Sequence, residues 1–535
     1  IMESLNFMQS NYTDNYNAIQ LSLPLDLGIK INPDDEVVSF LKALEGVNLK
    51  KYLKRDERRG RKGYDNVLLL KAVLLARMVS DCDVRNLESL CKHDIRFMYI
   101  MQEATPSHMT FERLMKNYLI DDIDHIFFDI VNNICNLMNV DKSIQYIDGT
   151  KIEANANKYS FVYKARILNA RMKLFSKITD SIIQMNMERG FDFPYHYFYC
   201  AQEIGYIVQY LMETMINDDI KMVYGRGKRK TEIQRWYDLF LGYYTKLDEY
   251  EFWLFIIGND RNSCSKIDHD ATMCATKIDF YCNTGLSRPC YNAQIGVSDG
   301  IIVNADLFQR PGDTKTFIPF MERYKDFTGE LPLYPMADAA YGSYDNYMYC
   351  LSNGMNLYMK YSMYAKKNEK EFRNKKFNTL NWEKDGKGNR ICPNGHVFDQ
   401  NIGDIYDERG EYLQIKQKMT SDEGCEGCPF IDECCKNKKH QKILTRDAVL
   451  DEFYAVVDEN LSTEFGKELK KQRSIQVEGA FGVIKQDMKF TRFTRRGLKN
   501  AKMEFLIVCL GYNLRKYHKY RLKKEKEEKE KLLLN

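Results

Sequence analysis

The chain has 535 residues, of which 44% are hydrophobic and 13% aromatic, and this composition excludes a disordered or fibrous protein. Its formal net charge is only +4, which is less basic than expected for a protein that binds nucleic acid over its whole surface. No uninterrupted apolar run approaches the ~20 residues of a membrane-spanning helix. At ~150 residues per domain, the length predicts roughly three or four structural units.

Cysteine usage and the first residues indicate the cellular compartment. The stretch from Ile1 to Thr13 lacks a basic segment followed by an apolar one, so we expect no secretory signal. In such a chain, 15 cysteines predict reduced thiols or metal ligands instead of a disulfide framework. We therefore expect a cytosolic protein.

The N-terminal part is predicted to be helical. Residues 1–32 are polar and irregular, as in a flexible arm, and a helical DNA-binding domain is predicted over residues 33–140. Within it, Val37, Leu41 and Leu44 recur at helical spacing.

A basic connector interrupts this domain at residues 50–64. Its sequence, KKYLKRDERRGRKGY, carries eight basic and two acidic side chains and a Gly-Arg-Lys-Gly break. A helical domain with such a connector fits a DNA-docking unit, and a solvated linker between two helices is the alternative. The predicted DNA contacts from this connector are Lys51, Arg58, Arg59 and Arg61.

Strand patterns begin at residues 141–161, the predicted first part of an α/β core. The sequence predicts a strand with Asp148 at its end, a turn at Gly149 and a second extended piece. Ile144 and Tyr146 share one strand face with Asp148 by the period of two. Residues 162–258 are again helical in pattern and are predicted to be an insertion.

The core is predicted to resume over residues 259–360. Two β-rich runs flank Ser298, Asp299 and Gly300, which is typical of a hairpin. A helix near residues 315–327, a strand that ends at Asp338, a second helix and a further strand follow.

The remaining sequence divides into three predicted segments. Residues 361–457 form a polar, cysteine-rich insertion, and residues 458–518 form the C-terminal helical part of the core. Residues 519–535 form a mixed-charge tail, for which a solvated helix end is the expected structure.

Three carboxylates stand in apolar or small-residue surroundings: Asp148, Asp338 and Glu478. Acidic side chains near a core are costly unless they are paired or bind metal. Carboxylate oxygens are preferred ligands of hard cations, and two Mg²⁺ ions stabilise an in-line phosphoryl displacement. The three carboxylates are compatible with a phosphoryl-transfer site, but by spacing alone helix capping or a salt bridge is the favoured role for each. Beside Glu478 the predicted helix carries an apolar stripe of Val477, Phe481 and Ile484.

Three segments resemble the catalytic blocks of bacterial insertion-sequence DDE transposases. YIDGTKIEANANKYSFVYK resembles the block with the first catalytic Asp, ADAAYGSYDNY the block with the second, and RSIQVEGAFGVIKQDMKFTRF the block with the Glu. The segments stand in the family's order and are most similar to the group with a Tyr-Arg-Glu-Lys signature. The resemblance covers nearly the whole chain, including the helical domain before the first Asp.

The resemblance implies an RNase H-like core in which Asp148, Asp338 and Glu478 hold two Mg²⁺ or Mn²⁺ ions. It implies that water cleaves the phosphodiester at a transposon end and that the freed 3′-hydroxyl then attacks target DNA. Such enzymes act on double-stranded DNA, at the transposon ends and the target, as homodimers in synaptic complexes. We expect a nucleoid-associated protein in a bacterial cytoplasm.

Two basic residues of the Glu block are assigned to DNA phosphate by the resemblance. Lys485 lies seven residues after Glu478, where the family often has a basic residue. The signature places an Arg four residues before the Glu, but position 474 is Ser and the nearest Arg is Arg473. This departure leaves the phosphate-binding role of Arg473 open.

Further basic side chains follow, interleaved with Phe490 and Phe493. The pattern fits phosphate contact together with base stacking, and a solvated helix face is the alternative. The predicted DNA-binding side chains in this stretch are Lys489, Arg492, Arg495 and Arg496.

The cysteine-rich segment contains a C-x2-C pair, a third cysteine close behind it and a Cys-Pro-x-Gly-His turn upstream. Cysteines at this kind of spacing are typical of structural zinc sites. Free cysteines in a polar loop are the alternative, and His396 and Cys435 are the spare ligands. The predicted ligands of one Zn²⁺ are Cys392, Cys425, Cys428 and Cys434.

Together these patterns predict an α/β RNase H-like catalytic core with an all-α N-terminal domain, a helical insertion and a small, zinc-binding cysteine-rich insertion. The predicted function is a DNA transposase that catalyses metal-dependent cleavage at transposon ends and strand transfer. Two alternatives stay open: a catalytically inactive, domesticated sequence-specific DNA-binding protein, and a hydrolytic nuclease of the same fold.

Overall fold

The computed structural model describes residues 31–53, 63–80, 84–225, 227–276, 287–421, 425–435 and 441–534. Within these residues the chain is mixed α/β with a helical N-terminal domain. No helix in the described ranges is long and apolar enough to cross a membrane. Three predicted DNA-binding residues, Arg58, Arg59 and Arg61, lie outside the described residues, as does most of the predicted arm.

The N-terminal domain is a set of short helices packed around an apolar core. Three of them begin at aspartate caps, because Asp35 accepts from the Val37 amide and Asp65 from the Val67 amide at 2.8 Å, and Asp94 accepts from the Arg96 amide at 2.9 Å. The helices are α1 (Glu36–Leu44), α2 (Asn66–Val79), α3 (Val84–His93), α4 (Ile95–Met101), α5 (His108–Leu114) and α6 (Ile123–Met138).

A five-stranded sheet forms the centre of the described chain. Its strands are β1 (Ile144–Glu153), β4 (Thr272–Ala275), β5 (Ser287–Ser298), β6 (Ile301–Phe308) and β7 (Tyr334–Met336). β5 pairs antiparallel with β1, β4 and β6, and β1 pairs in parallel with β7. The β5–β6 turn contains Asp299 and Gly300 with φ of 46° and 78°, which suits these residue types and confirms the predicted hairpin.

Strand β1 continues without interruption through Gly149, so the predicted turn at this glycine was wrong. A Cβ on Gly149 would lie 2.1 Å from Gln294 Nε2 and 2.9 Å from Asp313 Oδ1. The glycine is therefore required for close approach of these side chains and not for a turn. Asp148 lies inside the strand instead of at its end.

Two helices flank the last strands of the core, α10 (Phe317–Thr328) and α11 (Tyr344–Ser352). The strand predicted after α11 was wrong, because residues 355–360 are extended but form no strand. The Asn356 amide donates to the Leu333 carbonyl at 2.9 Å, and a single bridge joins Gly342 to Tyr361. These contacts are too few for a ladder.

A helical insertion leaves the core through a two-stranded neck of β2 (Phe161–Tyr163) and β3 (Ser263–Ser265), which pair antiparallel. Its helices are α7 (Lys164–Arg189), α8 (Ala201–Asn217) and α9 (Glu232–Ile257). Their apolar side chains, including Ile182, Leu211 and Phe240, form a core separate from that of the sheet.

The cysteine-rich segment is built from short elements around a small cluster of Trp382, Phe398, Met419 and Leu444. Its two three-stranded sheets have the orders β10–β9–β8 and β11–β12–β13. The elements are α12 (Lys370–Arg373), β8 (Glu383–Lys384), β9 (Arg390–Ile391), β10 (Val397–Phe398), β11 (Gln400–Asp407), β12 (Gln414–Thr420), α13 (Ile431–Cys434) and β13 (Leu444–Arg446).

The C-terminal part returns to the sheet and closes the core. It contains α14 (Ala448–Ser462), α15 (Glu464–Arg473), a π-helical turn (Ser474–Glu478), α16 (Gly479–Gly482), a second π-helical turn (Val483–Asp487) and α17 (Leu498–Leu534). α17 packs against α1, α2, α6 and β6, so the N-terminal helices and the sheet share one apolar core. At the contact with α2, a Cβ on Gly511 would lie 2.8 Å from the Arg77 carbonyl oxygen.

Candidate active site

The register of the sheet brings Asp148 and Asp338 to neighbouring positions. β1 and β7 are parallel, and their last registered pair is Tyr146 with Met336. Asp148 and Asp338 each follow that pair by two residues, so they lie at the same end of the paired strands. The Asp148 side chain is 20% exposed and the Asp338 side chain 40%.

A single buried guanidinium joins the two aspartates. Arg473 ends α15, and its side chain is 9% exposed. Its Nη2 lies 3.2 Å from Asp148 Oδ2 and 3.8 Å from Asp338 Oδ2. Both carboxylates therefore face the same space, and Arg473 points into the protein at that place.

Glu478 follows Arg473 by one π-helical turn. In a π-helix the backbone hydrogen bonds span five residues instead of four. The wider turn returns Glu478 to the helix face of Arg473, as a regular α-helix does for residues four apart. One extra residue in the helix thus accounts for the unusual position of Arg473 before the Glu. Glu478 itself is exposed, beside the buried Val477.

Lys485, in the second π-helical turn, contacts strand β1, which also carries Asp148. Lys485 Nζ donates to Thr150 Oγ1 at 2.5 Å. Thr150 follows Asp148 by two residues and shares its face of β1. The helix that carries Glu478 and Lys485 therefore lies over β1, and its predicted apolar stripe is confirmed as buried: Val477, Phe481 and Ile484.

A buried polar network supports the site and was missed in the sequence. Asp313 Oδ1 accepts from Lys151 Nζ at 2.9 Å, from Asn292 Nδ2 at 2.7 Å and from Gln294 Nε2 at 3.0 Å. The Tyr341 hydroxyl, fully buried, donates to Gln294 Oε1. The available signal was the pair Asn292 and Gln294, two amides on one face of an otherwise apolar strand.

Charge and burial compete at Asp148. Burial raises the pKa of Asp148, the Arg473 guanidinium and the Gly149 amide lower it, and Asp338 and Asp313 raise it again. The net direction is upward from the usual value. The burial of Asp148, together with two neighbouring carboxylates, thus outweighs the guanidinium and the amide, and groups with such raised pKa values are typical of functional sites.

Lys360 is a further charged group near the site that the sequence did not indicate. Burial lowers the pKa of Lys360, Arg473 and Lys470 lower it further, and Asp338 raises it. Lys360 is the last residue of segment 355–360 after α11, so its approach to Asp338 depends on tertiary packing.

The predicted DNA-binding residues after the Glu block differ in their surroundings. Lys489 is exposed. Arg492 Nη2 donates to the Ala156 carbonyl at 3.0 Å, and Arg496 Nε donates to the Asn155 carbonyl at 3.0 Å, while both residues stay exposed. These contacts tie the segment to the chain that follows β1.

Arg495 links the core to the N-terminal domain. Its Nη2 lies 2.9 Å from both Glu112 carboxylate oxygens, and its side chain is 16% exposed. In the N-terminal domain itself, Lys51 pairs with Asp129 at 2.8 Å and keeps 47% of its side chain exposed.

Phe490 and Phe493 do not present their rings to solvent. They are 4% and 2% exposed, and their rings form an edge-to-face pair with centroids 5.3 Å apart. The predicted base stacking by these two rings was therefore wrong, because both pack into the core.

The four cysteines predicted to bind zinc line one cavity: Cys392, Cys425, Cys428 and Cys434. The Cys428 amide donates to the Cys425 carbonyl at 3.3 Å, which closes the C-x2-C turn. Cys425 Sγ accepts from the Lys442 amide at 3.4 Å. His396 and Trp382 lie in the same cavity wall.

Across the described ranges, no three or more His, Cys, Asp or Glu side chains are gathered as a group that could hold a metal ion. In the sheet, the Arg473 guanidinium occupies the space that Asp148 and Asp338 share. Asp148 and Asp338 share one space and the four cysteines line one cavity, but neither set is gathered closely enough in the described residues to hold a metal ion.

Two stretches of the chain match family models of known proteins. Residues 391–518 match a family model described as a transposase DDE domain, and residues 26–117 match one described as a transposase domain, DUF772. Two separate stretches of the chain are therefore similar to transposase domains. No curated protein and no solved structure matches it.

The two matches support a DDE transposase of the insertion-sequence type, and the DDE domain implies an RNase H-like α/β core. The DDE match contains Arg473, Glu478 and Lys485, whereas Asp148 and Asp338 lie before it. The DUF772 match covers α1 to α5 of the N-terminal domain.

Proposed function

We propose that this protein is a DNA transposase that cuts at transposon ends and joins them to target DNA, with divalent metal ions held by Asp148, Asp338 and Glu478. The observation that carries the proposal is the shared contact of the two aspartates. Both place an oxygen near Arg473 Nη2, at 3.2 Å and 3.8 Å, so both face one space beside the helix of Glu478.

The donor set fits hard cations, because all three side chains offer carboxylate oxygens. Two Mg²⁺ or Mn²⁺ ions, when bound, supply electrostatic stabilisation of the attacking and leaving oxygens. Asp148 lies on β1, Asp338 lies two residues after the parallel strand β7, and Glu478 comes from the helix over β1. Regular elements of the core thus carry two of the three proposed ligands and directly precede the third.

The reaction conserves the number of phosphodiesters in its second step. In cleavage, a water oxygen bonds to phosphorus and the bond from phosphorus to the 3′-oxygen breaks, which frees a 3′-hydroxyl. In joining, this 3′-oxygen bonds to a target phosphorus, and the target's own bond to its 3′-oxygen breaks. Lys485 donates to Thr150, which lies two residues after Asp148 on β1. We expect its positive charge to neutralise a DNA backbone phosphate near the site.

The partners follow from this substrate. We propose that the exposed side chains of Lys489, Arg492 and Arg496 contact double-stranded DNA close to the site, and that the N-terminal domain binds the transposon ends. Joining two ends requires two active sites, so we expect a homodimer in a synaptic complex. We expect the protein to be associated with the nucleoid in the bacterial cytoplasm, where its substrate is.

We further propose one structural Zn²⁺ in the cysteine-rich segment, held by Cys392, Cys425, Cys428 and Cys434. The four side chains line one cavity, and the cluster beneath it contains four buried apolar residues in the described chain. So small a core commonly requires a metal or another cross-link.

Elemental analysis of the full-length protein tests the zinc site. One zinc per chain is expected in the wild type and in Cys435→Ser, because Cys435 neighbours Cys434 but does not line the cavity. The double variant Cys425→Ser/Cys428→Ser is expected to lose the metal. Zinc that is absent from the wild type, or retained in the double variant, would refute the site.

Strand joining on DNA that carries the element's own ends tests the proposed function. Wild type is expected to give Mg²⁺-dependent joined products, and Asp338→Asn is expected to give none, because it keeps the shape but loses the charge. Glu464→Gln is the control, since Glu464 lies on α15 with its side chain 91% exposed.

The products separate the alternatives. Nicks without joining in wild type would favour a hydrolytic nuclease of the same fold. Tight DNA binding without cleavage in either Mg²⁺ or Mn²⁺ would favour a domesticated DNA-binding protein. Joined products from Asp338→Asn would contradict the proposed site.

A further inference from the structure

Arg473 is unusual among the basic residues near the site because it is buried. Its side chain is 9% exposed, compared with 50% for Arg492. Within the described chain, its Nε is buried and has no hydrogen-bond partner. A side chain that binds a DNA phosphate must be accessible from solvent, so the buried position of Arg473 does not suit direct contact with DNA.

The position of Arg473 suits contact with the two aspartates. Its Nη2 is 3.2 Å from Asp148 Oδ2 and 3.8 Å from Asp338 Oδ2. Two carboxylates that face one space repel each other, and a buried carboxylate without a partner is costly. The Arg473 guanidinium offsets both the repulsion between the two carboxylates and the cost of burying them.

We propose that Arg473 is the internal counter-cation of this site: it holds Asp148 and Asp338 together without metal and competes with divalent cations for them. The inference rests on the proposed function, because it assumes that the two aspartates are metal ligands. Arg473 is thus a positioning residue that acts through the two carboxylates.

The competition follows from electrostatics. A fixed positive charge within 4 Å of both ligands opposes a second cation at the same oxygens. Divalent cations must therefore displace the guanidinium or bind against its charge. Removal of the charge should strengthen metal binding, whereas loss of a simple positioning contact should weaken it.

The π-helical turn connects this role to Glu478. Arg473 directly precedes the turn, and Glu478 closes it on the same helix face. The ion pair with Asp148 therefore also fixes the start of this turn against β1. A regular α-helix would place residues five apart on different faces.

Mn²⁺ titration of the full-length protein, with free Mn²⁺ measured by electron paramagnetic resonance, tests the proposal. Arg473→Gln is expected to bind Mn²⁺ roughly tenfold more tightly than wild type. Arg473→Lys keeps the charge and is expected to remain close to wild type. Lys470→Gln is the matched control on α15, because Lys470 Nζ contacts the Tyr364 hydroxyl at 3.3 Å.

Thermal melting in EDTA gives a second measurement. Arg473→Gln is expected to melt below wild type without metal, because two carboxylates lose their counter-cation, and to gain more from added Mn²⁺. A variant that folds only after Mn²⁺ is added supports the same conclusion.

An affinity of Arg473→Gln for Mn²⁺ that equals or falls below that of wild type would overturn the proposal. In that case Mn²⁺ binding by Asp148→Asn and by wild type shows whether the counter-cation role or the proposed metal-dependent function fails. If Asp148→Asn abolishes Mn²⁺ binding, only the counter-cation role fails. If wild type itself binds no Mn²⁺, the proposed metal-dependent function fails.

Discussion

The five-stranded sheet and the cysteine-rich segment are held together in different ways. The sheet shares one continuous apolar core with the N-terminal helices through α17, whose fully buried residues include Phe505, Val508 and Leu510. The cysteine-rich segment has its own cluster of four buried residues in the described chain. The first region depends on apolar burial, whereas the second has so small a core that we expect it to need the proposed zinc as a cross-link.

This difference shows how a site can persist beside large insertions. Asp148 lies on β1 and Asp338 lies two residues after β7, both in the large core, and Arg473 and Glu478 lie on helical segments packed against it. The helical insertion, with a separate core, and the cysteine-rich segment add surface without supplying these side chains. Changes in either insertion should therefore leave the carboxylates in place.

Removal of the proposed zinc should have the largest local effect. A strong chelator is expected to accelerate amide hydrogen exchange in β11 and β12 by roughly a hundredfold or more, because metal binding supplies folding free energy to a small core. Exchange in β1 and β5 should not change. Equal acceleration in both sheets, measured by mass spectrometry, would contradict the distinction between the two regions.

The substitution Gly511→Ala should destabilise the shared core by about 1–3 kcal/mol, the usual cost of overpacking. The added methyl would lie 2.8 Å from the Arg77 carbonyl oxygen and force α17 away from α2. Urea denaturation of the full-length protein measures the change. Gly242→Ala in α9 is the control, since no atom lies within 4 Å of the added methyl, and any loss of stability there would weaken the argument.

Tyr341→Phe should cost about 1 kcal/mol, the typical contribution of one buried hydrogen bond. The hydroxyl donates to Gln294, which in turn donates to Asp313, so the network beneath Asp148 loses one member. Tyr224→Phe, at a residue that is 72% exposed, should have no effect. Identical urea midpoints for the two variants would show that the network does not stabilise the core.

Deletion of Ile475 should have the smallest effect. The residue lies in the π-helical turn and is 57% exposed, so its removal is expected to restore a regular helix with Arg473 four residues before the Glu. Stability within about 1 kcal/mol of wild type and unchanged Mn²⁺ affinity are expected. Deletion of Lys471 in the preceding helix should disrupt both, and equal effects of the two deletions would contradict the assignment.

Local signals predicted the elements whose structure depends on local chemistry. The β5–β6 turn required positive φ, and Asp299 and Gly300 tolerate it. The apolar stripe beside Glu478 indicated the helix face that packs on the sheet, and the strand before Asp338 was read from its apolar run.

Features that depend on residues far away in the sequence could not be predicted from local patterns. Gly149 resembles a turn residue, but its role is to admit Gln294 and Asp313 from elsewhere in the fold. The π-helical turn has no characteristic sequence, so the sequence did not predict which way the Arg473 side chain points. In the structure it points toward Asp148 and Asp338. Phe490 and Phe493 alternate with basic residues, yet burial and not charge decides where they lie.

Anomalous diffraction from crystals soaked in Mn²⁺ would test most directly whether Asp148, Asp338 and Glu478 form a metal site. Manganese is expected within about 2.2 Å of oxygens from these residues, with the Arg473 guanidinium displaced from between the aspartates. Crystals without manganese at these carboxylates, and with Arg473 still paired to Asp148, would contradict a metal-dependent transposase site.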